Sequence, residues 1–183
     1  MVLYINACVR KESRTNRIAE SLLEKLGGEY EEVKLSEESL KPLSEEMLNK
    51  RTQLIEKGLF SDPMFELARQ FQQAERIVIA APFWDLSFPS VLKLYLENIY
   101  VTGLVSEYGA DGIPHGLCLA EKLYYVTTAG GAYVPDFSYE YIRSLSCNYF
   151  GIKETVLIKA QMLDVEGYDA EMIVEQTIKE LRI

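Results

Sequence analysis

The chain has 183 residues, of which 48% are hydrophobic and 26% are charged, and its formal net charge is −9. This balance indicates a folded domain with a substantial core. The negative charge argues against a nucleic-acid binder, which needs basic residues to replace phosphate counterions, and against anionic membrane surfaces. No apolar run approaches the roughly 18 residues that cross a bilayer, and the sequence starts directly with a strand-like segment, so we expect a cytoplasmic protein.

The three cysteines lie far apart, and the chain has a single histidine. Cys8, Cys118 and Cys147 form no CxxC or metal-type spacing, so we expect buried, reduced thiols and no metal site. Cys8 follows the first predicted strand, on the side where a ligand would bind, so a redox role is the alternative for this residue. His115 lies in a loop-like stretch and has no evident partner, so we expect a surface residue.

Strands and helices alternate in the first half of the sequence. Short apolar β-branched runs predict buried parallel strands, whereas apolar residues three or four positions apart predict helices. The predicted elements are a strand at Val2–Asn6, a helix that ends at Gly27, a strand at Glu29–Leu35, a helix near Glu45–Lys57, a helix that starts at Asp62-Pro63, and a strand at Ile77–Ala81. The charged stretch 36–59 is expected to be a solvated insertion or a partner-contacting arm.

The second half continues the alternation. Its predicted elements are a helix after Pro89, an irregular glycine-rich stretch over 102–119, a strand at Lys122–Thr128, a helix at Ser138–Phe150, a strand at Glu154–Ala160, and a helix from Asp169 onward. Five strands that alternate with helices, without an internal repeat or a linker, predict one α/β domain over residues 1–183. The expected architecture is a three-layer sandwich with a parallel sheet.

The loop after the first strand concentrates arginines and short polar side chains in an acidic protein. These residues are Arg10, Ser13, Arg14, Thr15, Asn16 and Arg17. Hydroxyl and amide groups just before a helix can cap it. Together with the free N–H groups of the helix and an arginine, they can also bind a phosphate monoester. Both interpretations remain open, and the concentration of arginine favours the phosphate.

The loops after the third and fourth strands carry aromatic rings and paired glycines. The third strand runs into Pro82-Phe83-Trp84-Asp85-Leu86, which places two aromatic rings just past its carboxyl end, where they could stack on a flat cofactor. The fourth strand runs into Thr128-Ala129-Gly130-Gly131, whose glycines can expose N–H donors and allow close approach of the backbone to a ligand. A core role for the aromatic residues and a plain turn for the glycines are the alternatives.

These three loops are neighbours in a doubly wound sheet of strand order 2-1-3-4-5, because they all follow carboxyl ends of parallel strands. One loop would bind a phosphate, one would stack on a flat ring, and one would donate backbone hydrogen bonds to a polar rim. Those are the requirements of flavin mononucleotide (FMN).

With these loops in this order, the sequence resembles the flavodoxin-like family of NAD(P)H:quinone oxidoreductases and FMN-dependent azoreductases over nearly its whole length. The resemblance implies that Arg10, Ser13, Thr15 and Asn16 bind the FMN phosphate, that Pro82, Phe83, Trp84, Asp85 and Leu86 run along the ring, and that Thr128, Ala129, Gly130 and Gly131 reach its other side. Tyr133, with Phe83 and Trp84, would shape the substrate shelf. NADH or NADPH would be the electron donor, and a quinone, azo compound or similar small molecule the acceptor.

The resemblance further implies a homodimer with the site at its interface, and flavin chemistry without a catalytic side chain. The sequence departs from the family in two places. It has Ala7-Cys8-Val9-Arg10 where the family often has serine-proline-arginine, and Asp85 where the family often has asparagine. A carboxylate beside the flavin would disfavour the reduced, anionic ring and lower its potential, unless Asp85 points away.

Three other protein classes share parts of this pattern. An electron-transfer flavodoxin is the main alternative, and the acidity suits it. A signalling receiver domain would need acidic residues after strand one and a phosphorylatable aspartate after strand three, where this chain has Asn6-Ala7 and Ala80-Ala81, so we reject it. A cofactor-free binding module is the remaining alternative.

Overall fold

The computed structural model describes all residues from Met1 to Ile183 and contains seven strands. In chain order the strands are β1 (Val2–Asn6), β2 (Tyr30–Lys34), β3 (Arg76–Ala80), β4 (Ser106–Tyr108), β5 (Pro114–Gly116), β6 (Lys122–Thr128) and β7 (Glu154–Ala160). Five of them form a parallel sheet in the order β2-β1-β3-β6-β7, whereas β4 and β5 pair as an antiparallel hairpin. The predicted sheet order 2-1-3-4-5 is therefore confirmed.

Six α-helices cover the two faces of the parallel sheet. In chain order they are α1 (Arg14–Leu26), α2 (Glu45–Glu56), α3 (Glu66–Gln73), α4 (Ser90–Ile99), α5 (Phe137–Leu145) and α6 (Ala170–Glu180). Helices α1 and α6 bury side chains in one core layer, and α3, α4 and α5 bury theirs in the other. The result is the three-layer arrangement that the sequence predicts. None of these helices combines the length and the apolar character needed to cross a membrane.

Successive residues of the central strands enter opposite core layers. In β1, Leu3 and Ile5 pack in the layer of α3 and α4, while Tyr4 packs in the layer of α1. Because both faces of the sheet are covered, the interiors of the central strands β1, β3 and β6 are apolar instead of alternating with polar residues. This explains why short apolar runs predicted the strands.

Three local predictions need correction. The stretch 102–119, expected to be irregular, contains the β4–β5 hairpin, and His115 lies exposed on β5. The helix expected from Asp62-Pro63 starts as a 3-10 turn over Pro63–Phe65, which Asp62 caps by accepting a hydrogen bond from the N–H of the second residue of the turn. Cys147 is exposed, not buried, because it occupies a solvent-facing position of the π-helical turn that follows α5.

The charged segment 36–59 is not wholly solvated. Its helix α2 packs Leu54 and Ile55 against the larger core. It also buries the guanidinium group of Arg51, which donates to the carbonyl oxygen of Glu97 near the end of α4 at 3.2 Å. One side of α2 therefore anchors the segment to the core, while most of its residues are exposed as expected. Its contact with a partner stays a prediction.

Candidate cofactor site at the carboxyl edge of the sheet

A cavity of about 850 Å³ opens at the carboxyl edge of the sheet, where the loops after β1, β3 and β6 meet. Many of the predicted site residues line it, namely Arg10, Ser13, Thr15, Asn16, Pro82, Phe83, Trp84, Thr128, Ala129 and Gly130. The volume lies in the range of roughly 300–1,000 Å³ that is typical of small-molecule sites. The structure therefore brings together the three loops that the sequence singled out.

The remaining predicted site residues lie outside the lining: Asp85, Leu86, Gly131 and Tyr133. Trp84 and Ser87 close a tight turn through reciprocal backbone hydrogen bonds of 3.0 and 2.7 Å. The two residues between them have positive φ angles, 49° at Asp85 and 65° at Leu86, and both are exposed. The turn thus carries Asp85 to the surface beside the cavity. The side chain of Tyr133 is 75% exposed.

Helix α1 begins at the cavity. Ser13 caps it, because its hydroxyl accepts a hydrogen bond from the N–H of Asn16 at 3.3 Å. The N–H groups of Arg14 and Thr15 lie in the first turn and have no acceptor within the helix. No acidic residue occupies this turn, so its partial positive charge favours an anion. Capping and anion binding, which the sequence left as alternatives, are compatible in this geometry.

The basic side chains around the cavity differ in their pairing. Arg14 donates to the carboxylate of Asp164 at 3.0 Å, and Arg17 pairs with two glutamates of α6. Arg10 and Lys11 are exposed and form no ion pair within the chain. These last two residues are therefore the cations at the cavity that remain free for an anionic ligand.

The side chains of Thr15 and Asn16 are engaged in contacts inside the protein. The hydroxyl oxygen of Thr15 lies 2.6 Å from that of Thr128. One hydrogen suffices to join two hydroxyls, so this pair keeps its second hydrogen for a ligand. The amide oxygen of Asn16 accepts hydrogen bonds from Tyr4 at 2.5 Å and from Asn6 at 2.9 Å. The amide nitrogen of Asn16 donates to Glu20 at 2.8 Å, so every polar atom of this side chain already has a partner within the chain.

A fourth loop, after β7, completes the cavity and was not predicted to belong to it. Leu163 and Asp164 of this loop line the cavity. The N–H groups of Met162 and Asp164 donate to the carbonyl oxygens of Gly131 and Gly130 at 3.1 and 2.9 Å, which joins this loop to the one after β6. The loop has no arginine, aromatic pair or glycine pair to mark it. Its position after a parallel strand was the available signal.

Several further lining residues were not assigned to the site from the sequence. They are Val9, Lys11, Glu12, Arg14, Arg17, Glu20 and Glu171. Three of these are basic, three are acidic and one is apolar, and they belong to the first loop, α1 and α6. The cavity therefore has a mixed electrostatic character, in which anion binding depends on the helix terminus and on the cations that are not already paired.

Cys8 lies at the base of the first loop. Burial raises the pKa of its thiol to about 11. Only 4% of the residue is exposed, and its N–H donates to the side-chain oxygen of Asn6 at 2.9 Å. The thiol is therefore protonated at neutral pH, and the geometry gives no support to a redox role. The structure also has no group of three or more histidine, cysteine, aspartate or glutamate side chains arranged to hold a metal ion.

The sheet order and the cavity at its carboxyl edge define a flavodoxin-like protein. Residues 1–182 match the family described as having the flavodoxin-like fold. A relative from Clostridium acetobutylicum is named FMN-dependent NADH:quinone oxidoreductase 2. It is 36% identical over an alignment of 195 positions, which covers 99% of this chain and 96% of the relative. A relative of the same activity name from Coprothermobacter proteolyticus is 33% identical and covers 98% and 94% of the two chains. The chain therefore belongs to the flavodoxin-like family, together with these quinone oxidoreductases.

Solved structures share the fold. The crystal structure of an azoreductase from Bacillus anthracis str. Sterne superposes with a TM-score of 0.83 at 22% identity and covers 98% of this chain and 95% of the other. An FMN-dependent NADH-azoreductase from Bacillus anthracis str. Ames Ancestor, solved in complex with FMN, has a TM-score of 0.80 at 23% identity, with 98% and 94% coverage. At this level of identity the likeness establishes the fold alone.

Proposed function

We propose that this protein is an FMN-dependent oxidoreductase that takes electrons from NADH and passes them to quinones, azo compounds or similar electrophiles. The observation that carries the proposal is the cavity at the carboxyl edge, where the start of α1, the aromatic loop and the glycine loop meet. The proposal is supported by relatives of nearly equal length that are named FMN-dependent NADH:quinone oxidoreductases. We propose NADH rather than NADPH as the electron donor, because the names of these relatives specify NADH.

The first loop and α1 fit the phosphate of FMN. The first-turn N–H groups of α1 have no acceptor within the helix, and the hydroxyl of Ser13 lies at its start. The pair formed by Thr15 and Thr128 retains one hydroxyl hydrogen. Arg10 and Lys11 add unpaired positive charge at the mouth of the cavity. Together these groups supply the donors and the charge that a phosphate dianion requires.

The other two loops fit a flat, polar-edged ring. Phe83 and Trp84 line the cavity with aromatic surface, and 42% of Trp84 is exposed. The N–H groups of Gly130 and Gly131 make no hydrogen bond within the chain, so both remain free to donate. Unpaired N–H groups of this kind can stabilise negative charge that develops on a bound ring.

When bound, FMN supplies the redox chemistry, because it can take a hydride from the nicotinamide and pass electrons to the acceptor. The protein orients the stacked partners. Phe83 and Trp84 form the wall on which flat molecules rest, and Gly130, whose N–H group is free, presents a donor to the polar edge. Donor and acceptor would occupy the same shelf in turn, which is a ping-pong order. No side chain is required as nucleophile or general acid.

We further propose that the protein acts as a homodimer. Large apolar side chains are exposed beside the cavity, on the turn after β3, on the loop after β6 and on α5. They are Trp84 at 42%, Leu86 at 47%, Tyr133 at 75% and Phe137 at 60% exposure. A second copy of the chain would cover them, and light scattering after gel filtration tests this. The cytoplasmic location stays a prediction from the sequence.

The absorbance spectrum of the purified protein is the first test. We expect flavin bands, or their appearance when FMN is added to the apoprotein, followed by bleaching on anaerobic addition of NADH and recovery on addition of a quinone such as menadione. Protein that neither carries nor binds FMN would overturn the proposal. Protein that binds FMN but is not reduced by NADH or NADPH would instead be an electron carrier that depends on a separate reductase.

A further inference from the structure

Five side chains behind the cavity form a continuous set of hydrogen bonds, which we call the Asn16 network. Its members are Tyr4, Asn6, Asn16, Glu20 and Glu32. The hydroxyl of Tyr4 and the amide nitrogen of Asn6 both donate to the amide oxygen of Asn16, at 2.5 and 2.9 Å. The amide nitrogen of Asn16 donates to Glu20 at 2.8 Å, and that of Asn6 donates to Glu32 at 2.8 Å.

The hydrogen-bonding capacity of the two asparagines is almost fully used. Two donors occupy both lone pairs of the Asn16 amide oxygen. Asn6 donates both of its amide hydrogens, and its oxygen accepts from the N–H of Cys8 at 2.9 Å. Burial raises the pKa of Tyr4, so its hydroxyl stays protonated and remains a donor. The network therefore has little freedom to rearrange.

The network joins three elements of the fold at one point. Tyr4 and Asn6 lie on β1 and are buried, with 1% of Tyr4 and 4% of Asn6 exposed. Asn16 lies in the first turn of α1, between Ser13 and the rest of the helix, and Glu32 lies on β2. The N–H of Asn16 also bonds to the hydroxyl of Ser13. The same residue thus ties the cap of α1 to the sheet.

We propose that Asn16 is a positioning residue, whose side chain fastens the first turn of α1 to β1 so that the cap hydroxyl and the N–H groups of that turn face the phosphate of the bound cofactor. This inference rests on the proposed function, since it takes FMN as the ligand. Removal of the amide leaves the donors of Tyr4 and Asn6 without an acceptor in a buried site. Such unsatisfied groups are costly, so the helix start would shift to relieve them.

The test compares the binding of FMN with that of riboflavin, which has the same ring but no phosphate. The variants are Asn16→Ala and Tyr4→Phe. Asn16→Ala should weaken FMN binding about 10- to 100-fold, and Tyr4→Phe about 3- to 10-fold. Riboflavin affinity should change less than about twofold in both, because the ring contacts are made by other loops. Tyr4 does not line the cavity, so an effect of Tyr4→Phe on FMN has to pass through Asn16.

The double variant Tyr4→Phe/Asn16→Ala should bind FMN as weakly as Asn16→Ala alone, since both changes remove the same contact. Tyr30→Phe is the matched control for Tyr4, because Tyr30 packs edge-on against the Tyr4 ring but its hydroxyl makes no hydrogen bond within the chain. Asn49→Ala, at an exposed position of α2 without a side-chain partner, controls for loss of an asparagine. Both controls should keep the FMN affinity of the unaltered protein.

The outcomes separate this inference from the function on which it rests. If the unaltered protein binds no FMN, the proposed function fails. If it binds FMN but the variants lose FMN affinity and riboflavin affinity equally, Asn16 has only a structural role and the inference is overturned. The inference is also overturned if the losses of FMN affinity in the two single variants add up in the double variant. Circular dichroism confirms that each variant is folded. If Asn16→Ala fails to fold, Tyr4→Phe alone still tests the inference, because it should lower the affinity for FMN more than the affinity for riboflavin.

Discussion

A Cβ atom on Gly130 would collide with the carboxylate of Asp164, which lies directly over it. Gly130 belongs to the loop after β6 and Asp164 to the loop after β7, and the N–H of Asp164 donates to the carbonyl oxygen of Gly130 at 2.9 Å. Arg14 of α1 holds the same carboxylate at 3.0 Å. The absence of a side chain at Gly130 therefore lets three loops close together at one side of the cavity.

Gly130→Ala should destabilise the protein by about 1 kcal/mol, because the added methyl group forces the exposed side chain of Asp164 to move and breaks its ion pair with Arg14. It should also weaken FMN binding, since Asp164 and Arg14 both line the cavity. Gly131→Ala is the matched control: no atom lies within 4 Å of its Cβ position and its φ is not in the left-handed region. It should change stability by less than about 0.5 kcal/mol. Urea unfolding measures the stability of both variants. Equal losses of stability would show that the contact between Gly130 and Asp164 is not the cause.

The hydroxyl pair of Thr15 and Thr128 should be energetically coupled. Only 1% of Thr15 and 9% of Thr128 is exposed, so replacing either by valine leaves the other hydroxyl without its buried partner. Each single variant should lose about 1–3 kcal/mol of unfolding free energy. The double variant should lose clearly less than the sum, because valine has nearly the shape of threonine and no unsatisfied group remains. Strict additivity in urea unfolding would show that the two hydroxyls do not interact.

The cysteines should differ sharply in reactivity. Burial raises the pKa of Cys8 to about 11 and that of Cys118 to about 12, whereas Cys147 is exposed. A thiol whose pKa is raised stays protonated, and hence unreactive, until the pH approaches that pKa. We expect Ellman's reagent at pH 8 to modify one thiol in the native protein and three after denaturation. Cys147→Ser should remove the single native reaction. A native reaction that survives in this variant would mean that a buried thiol is accessible.

The sequence was sufficient to predict the sheet, because the central strands are apolar runs flanked by clear stops. The bounds of β1, β6 and β7 are those expected from Val2–Asn6, Lys122–Thr128 and Glu154–Ala160. Three loops of the cavity carried arginine, aromatic or glycine signals. The loop after β7 carried none, because it contributes through backbone hydrogen bonds that many side chains permit.

The side-chain directions at the site could not be read from residue type. The amide nitrogen of Asn16 could donate to a phosphate, but it donates to Glu20 instead. Tyr4 and Asn6 on β1 hold the amide oxygen through long-range contacts that no local pattern encodes. Asp85 follows an aromatic pair that lines the cavity, yet the chain turns immediately after Trp84 and leaves it exposed. Such a turn usually contains asparagine or glycine, so Asp85-Leu86 gave no turn signal.

This turn should store measurable strain at Leu86. With φ angles of 49° and 65°, its central residues both adopt the left-handed region that type I′ hairpin turns require. A leucine there costs about 1–2 kcal/mol relative to the right-handed conformation. Leu86→Gly should relieve most of this cost, offset in part by the greater chain entropy of glycine, for a net gain of about 0.5–1 kcal/mol. In a protein of this size the melting temperature should rise by about 1–4 °C.

Leu86→Ala separates strain from the loss of an exposed apolar side chain. Alanine keeps a Cβ atom, so it retains the strain and should not raise the melting temperature. If both variants stabilise the protein equally, the φ angle is not the cause. Since Leu86 is 47% exposed beside the cavity, both variants should also weaken the proposed dimer or raise the KM for a quinone. If neither the dimer nor the KM changed, the strained and exposed Leu86 would have no role in the proposed function.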